Sequence, residues 1–110
     1  SAPDNATPFY CNDSLREETY RLQFPAGTPI VAIPRDLRFR NAAGEYDLHW
    51  RREGQDIVAR HRLHQRAVRG AEALCQPGDY AAFRELYQQV RRGFRGQVVY
   101  GDLRTVQSVP

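Results

Sequence analysis

Cys75 stands directly before the segment QPGDYAAFRELYQQVRR, a position where the positive end of a helix lowers a thiol pKa and makes a thiolate nucleophile. A nucleophile also needs a base within reach and a place for an oxyanion. Neighbouring residues nominate neither. Cys11 is the only other cysteine, so the structural alternative is a Cys11–Cys75 disulfide tying an N-terminal arm to the start of the helix. Closing a loop of that size stabilises a fold by about 4 kcal/mol in the chain-entropy model. The residues favour this staple, which implies an oxidising compartment such as a periplasm. Two free thiols and a catalytic thiol stay open as alternatives.

His49, His61 and His64 raise a metal reading, because "HRLH" looks like a short ligand spacing. On a helix His61 and His64 would share a face, but on a strand they point to opposite faces. The strand is the better reading here, so no metal is expected, and His61 becomes an inward residue with a satisfied ring nitrogen. Arg60, Arg62 and Arg66, with His64, share the outward face of the same strand and offer a possible anion surface. Base stacking needs aromatic residues interleaved on that face, and they fall on the other one. A surface compensated by Glu45 and Asp47 is expected instead, with no nucleic acid as partner. The sequence has no Gly-rich phosphate loop, no paired-cysteine zinc motif and no serine nucleophile elbow, so no catalytic residue and no cofactor is expected.

The elements that position these residues read mostly as strands. Residues 1–16 are rich in Pro, Asn, Asp and Ser and form an irregular arm that Phe9, Tyr10 and Cys11 alone can anchor. Residues 17–110 then form one β-rich domain. Tyr20, Leu22 and Phe24 alternate with polar residues, as on a half-buried strand. Pro29 and Pro34 keep "IVAI" short or at an edge. Leu37 and Phe39 alternate again before a turn at Asn41 to Gly44.

Gly54-Gln55 supplies a two-residue hairpin turn that pairs Glu53 with Asp56. On that register Trp50 faces Ala59, Leu48 faces His61 and Tyr46 faces Leu63 on an apolar side, while Asp47 faces Arg62 and Glu45 faces His64 on a charged side. "AVRGAEAL" reads as a bent strand at Gly70. A helix near residues 77–92 follows, opened by Pro77 and Asp79 and packed by Tyr80, Phe83, Tyr87 and Val90, with Leu86 widening the stripe. Arg91 and Arg92 suit its C-terminal end, and Gly93 or Gly96 stops it. "GQVVYGDL" adds a last strand.

The fold class is therefore mainly β, an antiparallel sandwich-like meander of about six or seven strands with one amphipathic helix. At 110 residues the chain has room for a single core. It starts at Ser1 and has no Met, which fits a domain excised from a longer polypeptide. No run approaches the ~20 apolar residues of a membrane span. All 16 basic residues are Arg, set against 13 acidic ones for a net charge of +3, so steering of a polyanion is weak.

The succession of "NAAGEYDLHWRREGQDIVARHRLHQR" and "CQPGDYAAFRELYQQVRR" resembles the C-terminal domain of bacterial transglutaminase-like proteins. The motifs are Gly44 and Tyr46 on a strand, the long Arg-containing strand, and Asp79, Tyr80, Phe83 and Arg84 at the helix start. Such proteins look like three-part secreted chains with a papain-like Cys-His-Asp core between β domains. The core motif does not map onto Cys75, so the resemblance implies a non-catalytic accessory domain. It would be periplasmic or secreted, supporting the catalytic core of its own chain or another protein. A free-standing protein- or glycan-binding module is the alternative.

Overall fold

A computed structural model describes residues 7–70, 74–101 and 107–109. The chain runs through β1 (Phe9–Tyr10), β2 (Ser14–Gln23), β3 (Ile30–Ala32), β4 (Leu37–Asn41), β5 (Gly44–Glu53), β6 (Asp56–Gln65) and β7 (Leu74–Cys75). Then come a 3-10 turn (Pro77–Asp79), α1 (Tyr80–Phe94), β8 (Val98–Tyr100) and β9 (Gln107–Val109). All strand pairs are antiparallel. Among the described residues the protein is mainly β with one α-helix, as its alternation of apolar and polar residues implies.

The largest sheet has the order β2-β6-β5-β4. Its centre is the hairpin read from the sequence. Glu53 pairs with Asp56, Trp50 with Ala59, Leu48 with His61 and Tyr46 with Leu63. Gly54 takes φ 61° in the turn, a conformation open to glycine at little cost. One face of the sheet carries Tyr46, Leu48, Trp50, Ile57 and Ala59, all buried; the other is charged. Val58 is the exception, fully buried on the charged face between Arg21 and Arg51 in register.

Helix α1 lies on the apolar face and contacts β5 and β4. That helix, rather than a second full sheet, is the layer packed there. Phe83 and Leu86 are fully buried in the shared core, with Ala82, Tyr87, Val90 and Leu63 partly buried against it. Tyr80 departs from the expected stripe. It stays outside the core, because α1 begins only after the 3-10 turn and its inward face centres on Phe83, Leu86 and Gly93. Asp79 holds the helix start by accepting from the Gln76 backbone N–H at 2.8 Å and from Arg69 Nε at 2.9 Å. Gly93, expected as a stop, lies inside the helix, which ends at Phe94.

Residues 1–6 of the expected arm lie outside the described residues, and the rest of it is less irregular than its composition suggests. β1 pairs with β7, placing Phe9 opposite Cys75, and Phe9 meets Phe83 edge-on with ring centroids 5.5 Å apart. β2 already begins at Ser14 and joins β6 rather than its sequence neighbours. The short "IVAI" strand leaves the meander for a separate sheet, β3-β8-β9. No continuous strand spans "AVRGAEAL". Ala67 to Gly70 is a turn closed by a 2.8 Å Gly70 N–H bond to the Ala67 carbonyl, and residues 71–73 lie outside the described residues. Among the described residues no helix is long and apolar enough to cross a membrane.

Candidate functional site

The residues first nominated for chemistry hold the fold. Cys11 and Cys75 form a disulfide with Cα atoms 5.8 Å apart, and both are fully buried. His49 lies 2.5 Å from Asp36, and His64 Nε2 lies 2.9 Å from Asp13. Among the described residues no cluster of three or more His, Cys, Asp or Glu is placed to hold a metal ion.

The possible anion surface is broken up by acidic partners. Arg62 reaches Glu17 at 3.4 Å and Glu45 at 3.8 Å, while Arg66 turns onto Glu45 and donates to the Asn41 carbonyl at 2.8 Å. Burial alone would raise the Glu45 pKa, but Arg40, Arg66 and His64 outweigh it and hold the carboxyl below its ordinary value. Arg60 faces Thr19 and His49 in register and makes no ion pair among the described residues. The three arginines therefore do not make a uniformly basic patch.

The apolar face holds a different constellation. α1 covers β5 and β4, which leaves open the β2 and β6 half of that face, where Arg16 and Glu18 precede Tyr20 and Leu22 along β2 opposite Leu63, His61, Ala59 and Ile57. Tyr20, Leu22, Ala59 and His61, with Trp50 and Phe94, line an open cleft of about 260 Å³. His61 is 8% exposed. Its ring stacks on Phe94 at a centroid distance of 4.2 Å and an interplanar angle of 10°, and Tyr20 meets it edge-on at 5.5 Å. The Tyr46 hydroxyl lies 2.6 Å from His61 Nδ1. The Tyr20 hydroxyl donates to Glu18, which Arg16 also holds at 3.3 Å.

Electrostatics keep this pair neutral near pH 7. Burial lowers the His61 pKa, with Glu18 opposing, and burial pushes the Tyr46 hydroxyl up to about 12. Tyr46 is 1% exposed, and among the described residues Nδ1 is its only hydrogen-bond partner. A buried O–H finds its acceptor where one exists, so Tyr46 donates to Nδ1 and the His61 proton sits on Nε2. Nε2 has no partner among the described residues, and it is not sealed from solvent. The Trp50 indole N–H is sealed and has no acceptor among them. No thiol, lysine or serine is among the residues lining the cleft.

The inward, bonded state of His61 was readable from the hairpin register. Its stacking on Phe94 was not, because Phe94 lies beyond the expected end of the helix at residue 92.

A pH dependence follows. A histidine whose folded pKa is depressed leaves the unfolded chain binding more protons, so stability rises with pH across the gap. The contribution is intact above the ordinary value of 6.5 and declines below it. Asp36, Asp79, Glu45 and Glu53, all lowered, lose their contributions only near and below about pH 4. Melting temperature should therefore fall between pH 7.5 and pH 5. That fall should shrink in a His61→Gln variant, which keeps an acceptor for Tyr46. An equal fall in the variant would exclude His61 as its source.

The model of a family described as a domain of unknown function with a solved structure, DUF3858, matches residues 6–100. In direct comparison, no curated protein and no solved structure matches the chain. The match spans the arm, the large sheet, the helix and β8, so the chain belongs to the DUF3858 family.

Proposed function

We propose that this chain is a non-catalytic accessory domain of a periplasmic or secreted transglutaminase-like protein, and that it supports or positions that protein's catalytic core. The observation that carries the reading is the half-covered sheet. α1 packs over β5 and β4, while on the β2 and β6 half Tyr20, Leu22, Ala59 and His61 line an apolar cleft beside the charged pair Arg16 and Glu18. An apolar half-face of this kind is a surface on which another folded body packs. The resemblance of residues 15–95 to the C-terminal domain of transglutaminase-like proteins supplies the body. The buried disulfide fits an oxidising compartment, and it leaves no thiol for catalysis among the described residues.

The test is calorimetric binding of the purified chain to a papain-like core expressed from the same reading frame. Association that Tyr20→Arg abolishes is expected. Two results overturn the reading: a reading frame without such a core, or amide hydrolysis or transamidation by the chain alone that disappears in Cys75→Ser. A free-standing protein- or glycan-binding module is a second reading, favoured by the exposed rings of Tyr20 and Phe94. A reading frame holding this domain alone would select it.

A further inference from the structure

We infer that the cleft between β2, β6 and the end of α1 is a binding site for one bulky, uncharged side chain of a partner polypeptide, whose adjacent peptide carbonyl accepts a hydrogen bond from His61 Nε2. This rests on the reading of the half-covered face as a docking surface and names what enters it.

Three properties of the cleft select that ligand. The first is size. A volume of about 260 Å³ falls below the roughly 300–1,000 Å³ of sites for drug-sized molecules and suits a single ring with its flanking peptide group. The second is charge. Tyr20, Leu22, Trp50, Ala59, His61 and Phe94 carry no formal charge at neutral pH, and the nearest charges, Glu18 and Arg16, already pair with each other at 3.3 Å, so an ionised group entering there would lose its hydration without a free counter-ion. The third is hydrogen-bond polarity. With Tyr46 donating to Nδ1, Nε2 is left as a donor. The Tyr20 hydroxyl is already engaged with Glu18, and the Trp50 N–H is sealed from solvent. A donor in the wall calls for an acceptor in the ligand, and a peptide carbonyl provides one beside an apolar side chain. Phe94 fixes the His61 ring plane by stacking, so the donor direction is set before binding.

Trp50 is the only tryptophan in the chain and lines the cleft, so its fluorescence reports occupancy. N-acetyl-phenylalaninamide titrated into the purified chain should give a saturable change in emission, and N-acetyl-glycinamide should bind at least tenfold more weakly. Phe94→Ala should reduce the affinity for the phenylalanine probe about tenfold. His61→Phe, which removes the donor, should reduce it roughly three- to tenfold. The ring ¹⁵N shifts of His61 in the unaltered protein should show the proton on Nε2, and the Nε2 shift should move on adding the probe. This measurement keeps the donor role testable even where a variant does not fold.

Equal responses to the two probes, no saturable response, or a proton on Nδ1 would overturn the inference. If the papain-like core binds and the phenylalanine probe does not, the cleft assignment fails and the docking reading survives. A saturable probe response without core binding means the reverse.

Discussion

Replacing Cys11 and Cys75 together by serine is expected to remove about 4 kcal/mol of stability, from the loss of a cross-link over a long loop. The bridge spans 64 residues of sequence separation, and in a domain of this size total stability is only about 5–15 kcal/mol. The loss should be local before it is global. β1 and β7 contribute two residues each to their ladder, too little to hold the arm once the covalent tie is gone. Phe9 would then leave Phe83, and the core beneath the helix start would meet water. The ten-residue strands β2, β5 and β6 pair with one another independently of the arm. Amide exchange should therefore rise first at residues 9–13 and 74–76, and only later in the sheet. Both cysteines are fully buried, so a reductant should act slowly on the native protein and quickly in mild denaturant. A double-serine variant within 1 kcal/mol of the parent in urea unfolding would show that the arm is held by its side chains instead.

Parts of this architecture could be read directly because a local rule determined them. Gly54-Gln55 admits one tight turn, and every pairing from Glu53–Asp56 to Tyr46–Leu63 follows from it by alternation. With two cysteines there is one possible intramolecular bridge. What escaped the reading depends on contacts between segments far apart in sequence. The alternation of Tyr20 and Leu22 tells which face of β2 is apolar but not that the neighbouring strand is β6, thirty-odd residues away. The short β3 strand likewise carries no local mark of its partner β8. Asn41 looked like a turn former only. Its side chain also donates to the Ala82 carbonyl at 2.8 Å and accepts from the Ala43 N–H at 2.9 Å, so one residue ties the β4–β5 turn to the helix.

The site was less legible than the fold for a related reason. The residues that stood out as chemical, namely the cysteines, His49, His64, Arg62 and Arg66, are conspicuous by type, and the structure uses them in structural bonds. The cleft is assembled from Tyr20, Trp50 and Phe94, which in a sequence are indistinguishable from ordinary core. Their exposure depends on where α1 stops covering the sheet. That boundary is a tertiary property, decided by how closely the end of the helix approaches β5.

Gly93 sets that approach, and Gly93→Ala is expected to destabilise the protein by about 2–4 kcal/mol even though alanine is the better helix former. Helix propensity favours alanine by about 1 kcal/mol in a helix interior. Against this, a Cβ at position 93 would sit 2.2 Å from the Tyr46 hydroxyl and 2.9 Å from two of its ring carbons. Tyr46 cannot swing away cheaply, because it is 1% exposed and bonded to His61. Either the helix end lifts off the sheet or the hydroxyl leaves Nδ1. The first exposes apolar surface, and the second strands a buried polar group, so the clash outweighs the propensity gain. Gly78→Ala provides the control. A Cβ there meets nothing within 4 Å, and its effect should be within about 0.5 kcal/mol. Adding Tyr46→Phe to Gly93→Ala removes the nearest clashing atom, so the double variant should be less destabilised than the sum of the two single changes. Phe94 follows Gly93 on the same turn and stacks on His61, so the single Gly93→Ala variant should also lose the saturable response of Trp50 to N-acetyl-phenylalaninamide. Urea unfolding of the four proteins measures the coupling. Strict additivity would mean that Gly93 and Tyr46 do not meet, and that the end of α1 is positioned by something other than this contact.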